Sequence, residues 1–240
     1  MRSRTWPGEA LLSATGLRTR ARALEDVDDL ARPDGRPTSW TMLGELASPL
    51  EAARLVAAAP RLAAAPRGDG HLVVDIPGWR APELTGAPLR AYLARLGYDA
   101  RGWGFGTNTG DPRRDVERLS TRVLELVDEK GAPASLVGWS LGGVIAREVA
   151  RRHPDAVRQV VTYGTPVTGF TRRLVAASPI RVPLTVLFSR RDGVVAWQAC
   201  IDRSTPSVEH VEVSSTHLGM GFDPDVWTVV ADRLARRPAA

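Results

Sequence analysis

An α/β architecture, a mostly parallel sheet of about six strands with helices on both faces, is what this sequence predicts. Three observations carry the prediction. Short apolar runs of strand length alternate with amphipathic segments of helical period along most of the chain. Strands separated by helices pair in parallel and are buried on both faces. The third observation is local. Gly138-Trp139-Ser140-Leu141-Gly142 follows one apolar run directly and opens one helical pattern.

The elements follow in order. Residues 1–69 are rich in Ala and Arg and weak in strand signal, so they are expected to form a mostly helical arm packed on an α/β core domain at 70–240. Within the arm, Leu24 to Leu30 is a short helix candidate. Pro49 to Leu62 is a second, with Ser48 as N-cap and Pro49 at the first helical position. Strands are predicted at His71–Ile76, Tyr98–Trp103, around Ser135–Val137, at Val157–Tyr163, Pro183–Ser189 and Val208–Val213. Helices are predicted from Ala87 to Leu96, from Asp111-Pro112 to Gly131, from the Gly138–Gly142 turn to His153-Pro154, and from Asp225 to Leu234. A short helix at Thr171–Ala177 is expected between the fourth and fifth predicted strands, a segment that leaves room only for a minimal cap.

Composition bounds the function. Hydrophobic residues make up 43% and charged residues 25% of 240, which suits one well-buried domain. The net charge is +5, almost all of it arginine, and Lys130 is the single lysine. The arginines are spread along helix faces and loop ends, with no interleaved aromatics, so no nucleic acid partner is expected. Peripheral membrane contact stays open. The lone Cys200 allows no internal disulfide, and four histidines with one cysteine show no metal-ligand spacing. No apolar run reaches the length of a membrane helix, and the start lacks the apolar core of a signal peptide, so a cytoplasmic protein is the default expectation. The Gly-rich stretch 102–110 fits neither a phosphate loop nor a dinucleotide fingerprint, and no cofactor is implied.

Gly-x-Ser-x-Gly between a strand and a helix is the context of a nucleophile elbow. The small residues are needed because strand and helix nearly touch at the turn. A serine needs a base, and the base needs an orienting group. His217, in the loop after the last strand, is the histidine placed to reach Ser140. Asp192, in the loop after the fifth predicted strand, is the acid, with Asp223 and Asp225 as substitutes. The chain order Ser, Asp, His is the order that an elbow-bearing sheet requires. Trp79, Trp103, Phe105, Met220 and Phe222 fall in loops at the same end, where they either line an apolar acyl groove or pack over the sheet.

These residues resemble the α/β-hydrolase-fold serine hydrolases, nearest to compact lipase and esterase members. The resemblance runs from about Asp69 to Ala235 and rests on Pro77-Gly78-Trp79, Gly138-Trp139-Ser140-Leu141-Gly142-Gly143, Asp192-Gly193 and His217. It implies an oxyanion hole from the backbone N–H groups of Trp79 and Leu141, although Ile76-Pro77-Gly78 stands where the family has His-Gly. It implies hydrolysis of a small-molecule or lipid carboxylic ester, with acyl transfer, thioester cleavage or a non-catalytic binding role as the other readings.

Overall fold

The structure is a computed structural model that describes residues 22–23, 48–167 and 179–236. The expected helices at Leu24–Leu30 and Thr171–Ala177 lie outside these residues.

Six strands run parallel: β2 (Leu72–Ile76), β3 (Asp99–Gly102), β4 (Ala134–Trp139), β5 (Val157–Tyr163), β6 (Leu184–Phe188) and β7 (Val208–Glu212). A two-residue strand, β1 (Arg22–Ala23), adds antiparallel to β7, giving the order β1-β7-β6-β5-β4-β2-β3. This edge strand was not legible in the sequence, because two residues carry no alternation pattern.

Register explains why the site forms where it does. Ile76 pairs with Gly138, Trp139 with Tyr163, Tyr163 with Leu187, and Phe188 with Glu212. The carboxyl ends of β2, β4, β5, β6 and β7 are therefore level. The loops that leave them emerge side by side, as expected of an open parallel sheet.

Every residue of β2 and β6 is buried, as strands covered on both faces must be. Leu72, Val74 and Ile76 join one core with α4 (Pro112–Lys130) and α5 (Leu141–Arg152), through Val116, Leu119, Val144 and Val149. Val73, Val137, Val161 and Val211 join the other with α3 (Ala87–Leu96) and α6 (Pro224–Ala235), through Leu89, Leu93, Val226 and Val230. The alternation puts Asp75 on this second face, a fact that matters below.

Helix ends follow their sequence signals. Asp111 accepts from the Arg114 N–H at the start of α4, and Gly131, at φ 65°, closes it. Asp223 accepts from the N–H groups of Asp225 and Val226 at the start of α6. The helix expected at Pro49–Leu62 is instead two, α1 (Ser48–Ala57) and α2 (Ala59–Ala63). Pro60 has no N–H to give to the carbonyl four residues back, and its ring crowds that turn. Arg54 reaches Asp223 (2.7 Å) and Asp225 (3.0 Å), and Arg61 reaches Asp225 (2.8 Å), so both helices are tied to the start of α6.

Candidate active site

Ser140 connects β4 to α5 with φ 52° and ψ −120°, a region that residues other than glycine avoid. The strain is held from both sides. The Ser140 N–H donates to the Tyr163 carbonyl (2.9 Å), continuing the sheet, while the Ser140 carbonyl accepts from the Gly143 N–H (3.0 Å), starting the helix. The glycines are required by contact. A Cβ on Gly138 would lie 2.5 Å from the Gly143 Cα, and one on Gly142 would lie 2.2 Å from the Ile76 carbonyl oxygen. Both obstacles are backbone and cannot swing away.

His217 is buried in the loop after β7, and its Nδ1 hydrogen-bonds Asp192 Oδ2 at 2.7 Å. The other carboxylate oxygen accepts from the N–H groups of Val194 (2.8 Å) and Val195 (2.6 Å), so the Asp192-Gly193-Val194 turn fixes the acid's direction. The imidazole lies beside the elbow: its ring centroid is 5.6 Å from that of Trp139, the residue before the serine. A Cβ on Gly164, which follows the residue accepting the Ser140 N–H, would meet the His217 Nδ1 at 3.0 Å. The structure thus brings the loops of Ser140, Asp192 and His217 to one end of the sheet. Asp223 and Asp225, the substitutes, are occupied by the α6 cap and by Arg54 and Arg61.

Leu141 is the first residue of α5, where the N–H has no intrahelical acceptor. Trp79 is 63% exposed, next to Arg80 at φ 57°. That strained corner is held by Asn108, a fully buried residue of the Gly-rich stretch. Asn108 donates through Nδ2 to the Pro77 carbonyl (2.9 Å), and its own carbonyl accepts from the Arg80 N–H (2.7 Å). Asn108 fits no phosphate motif and so does not stand out in the sequence. The signal it carried was an amide side chain among positive-φ glycines, Gly104, Gly106 and Gly110, which makes a tight loop that can return to another loop.

The proposed groove residues divide. Trp103 does not line a groove: it is 1% exposed, packs in the core and donates from Nε1 to the Gly106 carbonyl. Phe105 stacks edge-on against Trp103, with the Arg118 guanidinium 4.1 Å over its ring. The loop hydrogen-bonds back to Ala81 and Glu83, which leaves Trp103 in the core and Phe105 half-buried against it. Met220 is fully buried, with its sulfur near Gly164 behind the imidazole. Phe222 is half-buried and lines a cavity of about 190 Å³ beside the site, together with Asp75, Pro77, Gly86, Trp139 and Leu218.

Asp75 is buried there and paired with Arg90 Nη1 at 2.8 Å. Burial pushes its pKa up to about 6, against the pull of Arg90. A second Ser-His-Asp series exists at the opposite end of the sheet: His71 lies between Asp69 and Ser135, with Nε2 2.9 Å from the Ser135 hydroxyl. Ser135 is fully buried in β4 and has no strained turn, so no substrate carbonyl can reach it. Among the described residues no cluster of three or more metal-ligating side chains occurs, and no helix is long and apolar enough to cross a membrane.

Comparison with known proteins agrees with this architecture. A family profile described as "alpha/beta hydrolase fold" matches residues 94–189. The chain is 36% identical over 110 residues to a pimeloyl-[acyl-carrier protein] methyl ester esterase from Aromatoleum aromaticum, covering 45% of this chain and 42% of that protein. It is 39% identical over 106 residues to the protein of the same name from Chromobacterium violaceum, covering 41% and 38%. The chain thus spans less than half the length of these curated relatives in the matched region. Among solved structures, an α/β hydrolase from a Moroccan lagoon-sediment metagenome superposes with TM-score 0.54 at 17% identity, covering 70% of this chain and 91% of that one. An α/β serine hydrolase homologue from Coxiella burnetii gives 0.51 at 20% identity, covering 72% and 86%. With its level parallel strands, its strained serine turn and these likenesses, the chain has the α/β-hydrolase fold.

Proposed function

We propose that the protein is a serine carboxylester hydrolase in which Ser140 attacks, His217 moves the proton and Asp192 orients the imidazole. The observation that carries the reading is the pairing of a strained Ser140 with a buried His217–Asp192 hydrogen bond of 2.7 Å in neighbouring loops. A backbone held at φ 52° costs on the order of 1–3 kcal/mol and persists where function or packing demands it. The esterase names of the partial relatives support the same chemistry.

In this reading His217 Nε2 takes the Ser140 proton as Oγ attacks the ester carbonyl. Asp192 holds the proton on Nδ1 and offsets the charge of the imidazolium. The N–H groups of Leu141 and Trp79 stabilise the oxyanion, each worth about 3 kcal/mol of barrier. The alcohol leaves with the proton from His217, and water activated by the same imidazole releases the acid. Apolar acyl esters are the substrate class in this reading, supported by Leu218 and Phe222 in the wall of the neighbouring cavity and by the exposed Trp79 at the strained corner.

We assign residues 1–69 the role of an arm on the catalytic domain, on the strength of the Arg54 and Arg61 ion pairs to α6. The direct test is labelling by a fluorophosphonate with turnover of short methyl esters. Labelling and turnover that vanish together in Ser140→Ala support the assignment. Labelling that survives in Ser140→Ala overturns it, and transfer of the acyl group to added alcohol without release of acid reassigns the chain as an acyltransferase.

A further inference from the structure

An apolar groove of about 590 Å³ lies between the α1–α2 pair and α3, apart from the site described above. One wall is a stripe of α3: Pro88, Ala91, Tyr92, Arg95 and Leu96 recur at the spacing of a single helix face. Leu55 of α1 and Leu62 of α2 stand in the facing wall, and Trp227 of α6 completes the lining. Tyr92 sets the gap. Its hydroxyl donates across to the Leu62 carbonyl (3.1 Å), and its ring stacks on Trp227 with centroids 5.2 Å apart. Val56 also lines the groove and is 79% exposed, so the groove is open to solvent along α1.

The shape narrows the choice of occupant. The stripe from Pro88 to Leu96 covers about 12 Å at the helical rise of ~1.5 Å per residue. Over that length 590 Å³ corresponds to a cross-section of about 50 Å², short of the ~80 Å² that a helix about 10 Å wide occupies. The groove admits an alkyl chain but not a helix from a partner or from a second copy of this chain.

Charge narrows it further. Two arginines, Arg67 and Arg95, line the groove, and no acidic residue does. Arg67 Nη1 donates to the Arg95 carbonyl (2.7 Å), which brings the two residues together at the end of α3. Both are exposed, and neither has a carboxylate partner among the described residues. Asp69, the acid next to Arg67 in the chain, is taken by His71 and Arg158. A neutral alkyl chain leaves these guanidinium groups unused, and an alkyl ammonium meets them with like charge. We propose that the groove binds a fatty carboxylate of about ten carbons, its chain along α3 and its head at Arg67 and Arg95. The site has walls from both the arm and the core domain, and it does not depend on the ester-hydrolase reading.

Calorimetric titration with hexanoate, octanoate, decanoate and dodecanoate, each dispersed as monomer, is the test. Affinity should rise about two- to fourfold per methylene as chain is buried, and level off beyond about ten carbons. Decyltrimethylammonium should bind at least about fivefold more weakly than decanoate, the value of two exposed ion pairs. The double variant Arg67→Gln/Arg95→Gln should erase that preference. Ala91→Trp, which sets an indole into the groove from an exposed helix position, should abolish decanoate binding and leave turnover of methyl hexanoate as it is. Affinity that does not rise with chain length overturns the proposal, as does equal affinity for the two head charges or native decanoate affinity in Ala91→Trp. Co-sedimentation with phosphatidylglycerol vesicles, with no binding of dispersed decanoate, overturns it in favour of a membrane surface. Methyl hexanoate turnover reports on the catalytic reading alone, so the two can fail separately.

Discussion

Ser140 makes sense only with the side chains around it. In the proposed reaction the strained turn presents the Ser140 hydroxyl, and the 2.7 Å bond to Asp192 fixes the tautomer of His217 as the base. Asp192→Asn should keep the fold and lower kcat by about 10³–10⁴-fold, because an amide at this position favours the wrong imidazole tautomer. Steady-state kinetics on methyl hexanoate checks it, and a loss below tenfold would return Asp192 to the role of a turn residue. Asn108 acts at one remove, as a positioning residue. Asn108→Ala removes the bond to the Pro77 carbonyl and should lower kcat more than it raises KM, while Asn108→Ser restores part of the loss.

The element that most constrains the chain is the strand-turn-helix unit of β4 and α5. Gly142→Ala drives a Cβ against the Ile76 and Pro77 carbonyls, both backbone, so relief requires α5 to move away from β2. Loss of soluble folded protein, or a fall of at least about 2 kcal/mol in urea-melt stability, is the expected outcome. The far side of α5 is pinned by Arg147, buried and paired with Asp202 at 2.7 Å. Asp202→Ala leaves that guanidinium buried without its partner and should cost about 3–5 kcal/mol. The pair does not have to be net stabilising for this to hold. It ties the elbow helix to the loop that follows Cys200.

Across the whole molecule, two buried titratable groups pull stability in opposite directions with pH. Burial lowers the pKa of His210 to about 4. The unfolded chain therefore takes up a proton first as pH falls below the ordinary imidazole value, and stability present above about 6.5 is lost on the way to 4. Asp75 runs the other way. Its folded pKa of about 6 lies above the ordinary 3.8, so its contribution is present at low pH and is lost as pH rises through 6. Between pH 4 and 6.5 the two offset one another. Across that window Tm should fall as pH rises in His210→Asn, where only Asp75 titrates, and rise with pH in Asp75→Asn, where only His210 does. Parallel Tm profiles for both variants and the native protein would contradict this.

Much of the molecule was written in the order of its residues. The apolar period placed six strands and the main helices, with Ala87–Leu96 and Val157–Tyr163 matching to the residue. Such patterns report one-dimensional facts: which face is buried, where a proline or glycine interrupts. The elbow was legible for the same reason, because its glycines and serine are adjacent in the chain. What only the folded chain decided depends on partners far apart in sequence. Arg54 and Arg61 occupy Asp223 and Asp225, leaving Asp192 to meet His217. The Gly-rich loop folds back, buries Trp103 and sends Asn108 to Pro77. Asp75, a lone charge in an apolar strand, finds Arg90 and a cavity next to the serine. No local pattern encodes these meetings, since each is set by which loops the level edge of the sheet brings together.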